Sequence, residues 1–229
     1  MTSASGSARN AAGLVMIQAP RSAAAEAYRT LSTNIQFSSL DTPIRTLLVT
    51  SVGPDEGKSI VLANLAVTLA ESGKRVVVVD CDLRRPSLHD VFGAASQPGL
   101  TTMVLDESAP APLQPTSIAN VQVLTSGPLP PNPSELISSE RFKRVLAVIA
   151  ADADIILLDA PPVSAVTDAT ILATRVDGVL LVVDSGRTRR DTAKRANEQL
   201  QRVGARLLGA VLTNVKAERA QTEYLAKSK

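Results

Sequence analysis

Thr50-Ser51-Val52-Gly53-Pro54-Asp55-Glu56-Gly57-Lys58-Ser59 is the stretch that decides how this chain folds. A β-like run, Thr46-Leu47-Leu48-Val49, enters it, and a helical run, Ile60-Val61-Leu62-Ala63-Asn64-Leu65-Ala66, leaves it. Strand, glycine-bearing loop ending in Gly-Lys-Ser, then helix is the context that a phosphate-binding P-loop requires. Backbone N–H groups of the loop and the positive end of the following helix would wrap a polyphosphate. The expected binding residues are Gly53, Pro54, Asp55, Glu56, Gly57, Lys58, Ser59 and Ile60. Lys58 would reach the β- and γ-phosphates of ATP, and the Ser59 hydroxyl would take one place on Mg2+. The loop is not standard. Val52 stands where the common pattern has its first glycine, and Pro54 fixes φ and gives up an N–H, so its shape must differ from the common one.

Working outward, the 229 residues suit one α/β domain. Aromatic residues make up only 2% of the chain, so the core must be aliphatic, as in a buried parallel sheet. The single Cys81 excludes an internal disulfide and fits a reducing cytosol. The single His89 excludes a histidine-rich metal site. No apolar run approaches membrane-spanning length, so any membrane role would be peripheral. The net charge of +2 is small. Its unevenness, with Arg187, Arg189, Arg190, Lys194 and Arg195 close together, reads as a solvated helix face.

The domain organisation follows from the same pass. Residues 1–20 are Ser/Ala/Gly-rich and read as disordered; residues 21–215 form the domain; residues 216–229 form a flexible tail. Helices are predicted over 22–37, 58–72, 100–105, 139–150, 166–174 and 188–203. Strands are predicted over 46–49, 75–80, 121–124, 154–159, 178–183 and 207–213. Residues 127–133, rich in proline, read as a stiff extended loop. Strands alternating with helices predict a three-layer α/β sandwich around a mostly parallel sheet, the P-loop NTPase fold.

Ligands of such sheets bind at the carboxyl ends of the strands. Three acids fall there: Asp80 and Asp82, two residues apart, and Asp159, behind Ile155-Ile156-Leu157-Leu158. Like charges so close are unfavourable unless a cation or a proton sits between them, and the magnesium carried by ATP would supply that charge.

Taken together these residues resemble the bacterial tyrosine kinase family of capsule and exopolysaccharide synthesis, from about Ala24 to Val215. Thr50–Ser59 is similar to its first motif. Val77-Val78-Val79-Asp80-Cys81-Asp82-Leu83-Arg84-Arg85-Pro86 is similar to its second, Asp-x-Asp-x-Arg. Leu157-Leu158-Asp159-Ala160-Pro161-Pro162 is similar to its third, and Pro133-Ser134-Glu135-Leu136 belongs to a family loop. The resemblance implies that Lys58, Asp80, Asp82 and Asp159 are catalytic. It implies that Ser59, Asp80 and Asp159 hold the metal, and that Arg84 and Asn214 help bind the nucleotide, Asn214 at its base. Asp82 would orient or deprotonate the incoming tyrosine hydroxyl. Aspartate is a far weaker base than phenolate, but phosphoryl transfer is governed mainly by positioning and charge neutralisation.

The resemblance further implies activation by a transmembrane polysaccharide chain-length regulator, a cytoplasmic location at the inner face of the membrane through that partner, and no nucleic-acid partner. Glu26-Ala27-Tyr28-Arg29-Thr30-Leu31-Ser32 is similar to the family's Glu-x-x-Arg-x-x-Arg helix of ring assembly, with Ser32 in place of the last Arg. A homo-oligomer is therefore expected, with one ion pair per interface missing from any ring. The family's tail carries a tyrosine cluster; this chain has only Tyr28 and Tyr224, which leaves Tyr224 as the tail phosphoacceptor. Asp55 stands where a small residue is usual and is expected to face outward, away from phosphate. The competing reading is a partition- or positioning-type P-loop ATPase. Ser51, Val52 and Gly53 offer none of the extra lysine such proteins carry early in the loop. A nucleotide-binding scaffold without transfer chemistry would have no need of Lys58 and the three acids.

Overall fold

The structure is a computed structural model and describes residues 13–38, 42–106, 108 and 110–215. Its frame is a seven-stranded sheet. In chain order the strands are β1 (Thr46–Ser51), β2 (Val76–Asp80), β3 (Gln114–Pro115), β4 (Val121–Leu124), β5 (Ile155–Asp159), β6 (Gly178–Asp184) and β7 (Leu207–Thr213). They lie side by side in the order β3-β4-β2-β5-β1-β6-β7. Every pairing is parallel except the short β3–β4 edge. β1, β2 and β5 are covered on both faces. That is why they read as unbroken aliphatic runs and not as alternating ones.

Alternate residues of these strands feed two separate cores. Leu47, Val49, Val76, Val78, Ile155 and Leu157 face one layer of helices: α1 (Val15–Gln18), α2 (Ala23–Phe37), α3 (Lys58–Glu71) and α4 (Leu88–Phe92). Leu48, Val77, Val79, Ile156 and Leu158 face the other: α5 (Leu100–Leu105), α6 (Pro133–Ser138), α7 (Glu140–Ala150), α8 (Asp168–Ala173) and α9 (Arg190–Arg202). The expected three layers result. Each buried Val or Leu contributes roughly 1.5–3 kcal/mol, so the sheet and its two covers form one cooperative body.

Helix α3 positions the site. Val61 to Ala70 are all buried, since α3 is covered by the sheet on one side and by α1 and α2 on the other. Its two polar core residues are satisfied: Asn64 Nδ2 donates to the Ile60 carbonyl at 2.9 Å and Oδ1 accepts from the Met16 N–H at 3.1 Å, while the Thr68 hydroxyl donates to the Asn64 carbonyl at 2.8 Å. α2 starts where Ser22 accepts from the Ala25 N–H at 3.2 Å, the N-cap expected from sequence.

Three features depart from the sequence reading. Residues 13–20 are not a loose segment: α1 inserts Leu14 and Met16 under α3, where both are buried, and apolar burial outweighs the Ser/Ala-rich surroundings. α4 and α6 occupy stretches too short to show helical periodicity. β3 is a two-residue edge strand containing Pro115, whose missing N–H is tolerated at an edge. Residues 216–229, with Tyr224, lie outside the described residues.

Candidate active site

The loop between β1 and α3 is held in an unusual shape by two left-handed residues, Asp55 (φ 59°) and Gly57 (φ 83°). Only glycine adopts this geometry without strain, and Gly57 is the residue that caps α3. Alternating handedness turns successive N–H groups toward one concavity, the backbone nest that binds phosphate. Asp55 is exposed, as expected. Glu56 behaves otherwise. Its side chain is buried and faces inward, with one oxygen accepting from the Val52 N–H at 2.9 Å and the other from the Thr188 hydroxyl. The Thr213 hydroxyl donates to the Glu56 carbonyl at 3.0 Å, which ties the loop to the ends of β6 and β7. Glu56 is thus a brace of the phosphate loop. Its carboxylate would repel phosphate if it pointed there.

Parallel registry brings the acids together. β2 and β5 are neighbours with Asp80 opposite Asp159. Both side chains are fully buried, and Asp82 is 3% exposed. Into this group reaches Lys58, its ammonium 3.0 Å from Asp82 Oδ2 and 3.3 Å from Asp159 Oδ2. The Ser59 hydroxyl donates to Asp159 Oδ2 at 2.5 Å, and the Ser87 hydroxyl bonds Ser59 at 2.9 Å. Asp80 is held by backbone: Oδ2 accepts from the N–H groups of Ser87 and Leu88, each at 2.9 Å, and Oδ1 from that of Asp82 at 3.2 Å.

One ammonium faces three carboxylates, and the electrostatics record the imbalance. Asp80 is pushed up to about 7, first by burial and then by the charge of Asp159, against the pull of its N–H donors and Lys58. Asp159 is also raised, by burial, with Lys58 and the Ser59 hydroxyl opposing. Burial alone would lower the Lys58 ammonium; Asp159 and Asp82 more than reverse it and hold it charged. The Cys81 thiol, buried between the acids, is pushed well up and stays protonated.

Among the described residues, no three Asp, Glu, His or Cys side chains converge as a ready-made metal cage. Magnesium does not need one. It keeps several waters, takes phosphate oxygens, and uses one or two carboxylates. The Ser59 hydroxyl beside Asp159, with Asp80 one strand away and surplus negative charge among them, fits that demand.

Besides Glu56, two more expected site residues have side chains engaged elsewhere. Arg84 forms a two-pronged ion pair with Asp168, Nε to Oδ2 at 2.8 Å and Nη2 to Oδ1 at 3.2 Å, and also contacts Ser134. Asn214 (φ 55°) follows β7 and donates to Asp184 Oδ2 at 2.7 Å. Sequence reasoning missed Ser87, Thr188, Asp168 and Asp184 as parts of this network. Each is a common residue type in a loop or at an element end, and no spacing distinguishes them.

The comparisons with known proteins accord with this geometry. The ParA family, described as a NUBPL iron-transfer P-loop NTPase, matches residues 44–223. The tyrosine-protein kinase YwqD of Bacillus subtilis is 40% identical over 212 residues, covering 92% of this chain and 89% of that one. The crystal structure of the chimerical protein CapA2B2 superposes with a TM-score of 0.86 at 35% identity, over 90% of this chain and 91% of that one. The kinase domain of the Escherichia coli tyrosine kinase ETK does so with a TM-score of 0.82 at 29% identity, over 90% and 82%. The chain belongs to the ParA-type P-loop NTPases and, among them, to the bacterial tyrosine-protein kinases.

Proposed function

We propose that this chain uses ATP and magnesium to phosphorylate tyrosine, its own Tyr224 among the acceptors, in the control of capsular or exopolysaccharide synthesis and export. The single observation that carries the reading is the Lys58 ammonium lodged between Asp82 and Asp159, at the mouth of a phosphate loop, with the Ser59 hydroxyl alongside.

In this reading the N–H groups of residues 53 and 55–59 and the start of α3 bind the triphosphate, and Lys58 offsets the charge on the transferring group. Ser59, Asp80 and Asp159 would hold magnesium, directly or through water. When bound, the ion neutralises charge on the β- and γ-phosphates. Asp82, 3.0 Å from the Lys58 ammonium, would face the acceptor. It orients the phenol and receives its proton as the new O–P bond forms and the bond to the ADP oxygen breaks. Asn214 contributes at the base. Arg84 acts from the rim and leaves phosphate binding to the loop.

No helix among the described residues is long and apolar enough to cross a membrane. A separate membrane-spanning chain-length regulator as activator, and a cytoplasmic position at the membrane through it, agree with that and with the family resemblance. On the ring-assembly helix, Glu26 and Arg29 pair with each other at 3.1 Å, Arg29 also donates to the Pro20 carbonyl, and Ser32 is buried. A homo-oligomer using this face would have to reroute those contacts.

The test is autophosphorylation with labelled ATP and magnesium, for wild type beside Tyr224→Phe, with and without the partner's cytosolic segment. Tyr224→Phe is expected to remove most of the label. Unchanged label refutes the tail acceptor. No phosphotyrosine in wild type under either condition, with ATP-dependent lipid or DNA binding instead, would favour the positioning-ATPase reading.

A further inference from the structure

Asp168 is an acid that no motif contains, yet its carboxylate is 1% exposed and fully engaged. It receives Nε and Nη2 of Arg84 in the planar fork geometry that makes Arg–carboxylate pairs directional. It also accepts from the Ser134 hydroxyl at 2.5 Å, and Ser134 in turn lies 3.3 Å from Arg84 Nη2. The three residues come from three separate connections at the carboxyl end of the sheet. Arg84 follows β2, Ser134 follows β4 at the start of α6, and Asp168 follows β5 at the start of α8.

The strand-end loop after β2 also carries Asp82. Asp82 spends one oxygen on Lys58 and the other on the Arg85 N–H at 3.0 Å. Arg84 stands two residues after Asp82 in the same loop, and its fork is occupied by Asp168. With its carboxylate buried and the Arg84 side chain 41% exposed, the pair adds little net stability, but it fixes direction. Released from Asp168, a guanidinium that close would swing onto Asp82 and compete with Lys58 and with the acceptor hydroxyl.

We propose that Asp168 is a positioning residue for phosphoryl transfer: with Ser134 it keeps the Arg84 guanidinium off Asp82 and sets the loop that presents Asp82 to the tyrosine. The proposal rests on the tyrosine-kinase reading. It assigns Asp168 and Ser134 to the acceptor half of the site, which the nucleotide does not need.

The experiment measures transfer to a peptide of residues 216–229 by the full chain, together with ADP affinity and melting temperature. The proteins are wild type, Asp168→Asn, Arg84→Gln, the double variant and Ser134→Ala. Asp168→Asn is expected to lower kcat about tenfold or more, as a misplacement of about 1 Å does. The ATP KM and ADP affinity are expected to stay within about twofold. Ser134→Ala is expected to lower kcat less, about two- to threefold, because the ion pair survives. The double variant regains melting temperature relative to Arg84→Gln, since amide faces amide in place of the unpaired, buried Asp168; it is expected to transfer faster than Asp168→Asn, because no guanidinium competes for Asp82, and slower than wild type, because the loop has lost its anchor. If the double variant transfers no faster than Asp168→Asn, or if Asp168→Asn is as fast as wild type, Asp168 does not act by keeping Arg84 off Asp82 and the proposal falls. Absence of transfer by wild type would instead count against the kinase reading itself.

Discussion

Replacing Lys58 by Met removes the one positive charge from a cluster of three buried carboxylates, and its effect should depend on pH in a defined direction. At 3.0 Å from Asp82, and with an effective dielectric constant of about 20, one such attraction is about 5 kcal/mol. Asp159 at 3.3 Å adds a second of similar size. Methionine also removes the desolvation penalty of the ammonium, several kcal/mol, so the net loss at pH 8 is expected to be about 3–5 kcal/mol. Asp80, raised to about 7, and Asp159, raised by burial, bind protons more tightly folded than unfolded. Stability of the wild type therefore declines as pH rises from about 4 toward about 7. Without Lys58 both folded values climb further, the decline steepens, and it extends to higher pH. At pH 5 the acids take up protons and much of the loss disappears.

Thermal melts of both proteins from pH 5 to pH 8 test this. A 3–5 kcal/mol loss corresponds to a drop of about 6–20 °C at pH 8 for a chain of this size, and the drop is expected to be less than half as large at pH 5. Phosphotyrosine formation is expected to fall at least about 100-fold, the scale of losing a preorganised charge at the transferring group. A drop in melting temperature that is the same at both pH values would refute the account of Lys58 as counter-charge to the acids. Retained transfer would refute its place at the phosphates.

Other outcomes follow from the same contacts. Glu56→Gln keeps its amide oxygen on the Val52 N–H and turns its NH2 to the Thr188 hydroxyl, which then accepts, so both hydrogen bonds lose their charged partner at a cost of about 1–2 kcal/mol. Because the brace shapes the loop, ADP binding measured by calorimetry should weaken about five- to tenfold. Gly99→Ala would place a Cβ 2.3 Å from both the Thr125 carbonyl and the Gly127 N–H, although its extended backbone tolerates any residue. The clash is with backbone and should destabilise by about 3 kcal/mol, read as a melting point lower by about 6–12 °C with nucleotide affinity per folded molecule retained.

Much of this site was legible in the chain because its parts are local. Gly57-Lys58-Ser59 needs only a strand before it and a helix after it. The aliphatic runs ending in Asp80 and Asp159 announce strand ends, where ligands of parallel sheets collect. Tertiary contacts overrode local pattern at Arg84, which is taken up by Asp168 some eighty residues on. They did so again at Glu56, which turned inward to meet Thr188. Leu14 and Met16 read as part of a loose polar end until Asn64 and the flank of α3 supplied something to pack on.

From its sequence alone the chain declares a P-loop, a parallel sheet, three strand-end acids and a kinase-like set of motifs. All of these are written in short-range periodicity and residue type. Only the folded structure decides that β5 lies between β1 and β2, which puts Asp159 across from Asp80 and within reach of Lys58. Strand order depends on which faces can be buried together over distances of a hundred residues. The proton affinities of the acids, the bracing of the phosphate loop and the anchoring of Arg84 exist only once that burial has removed water from between them.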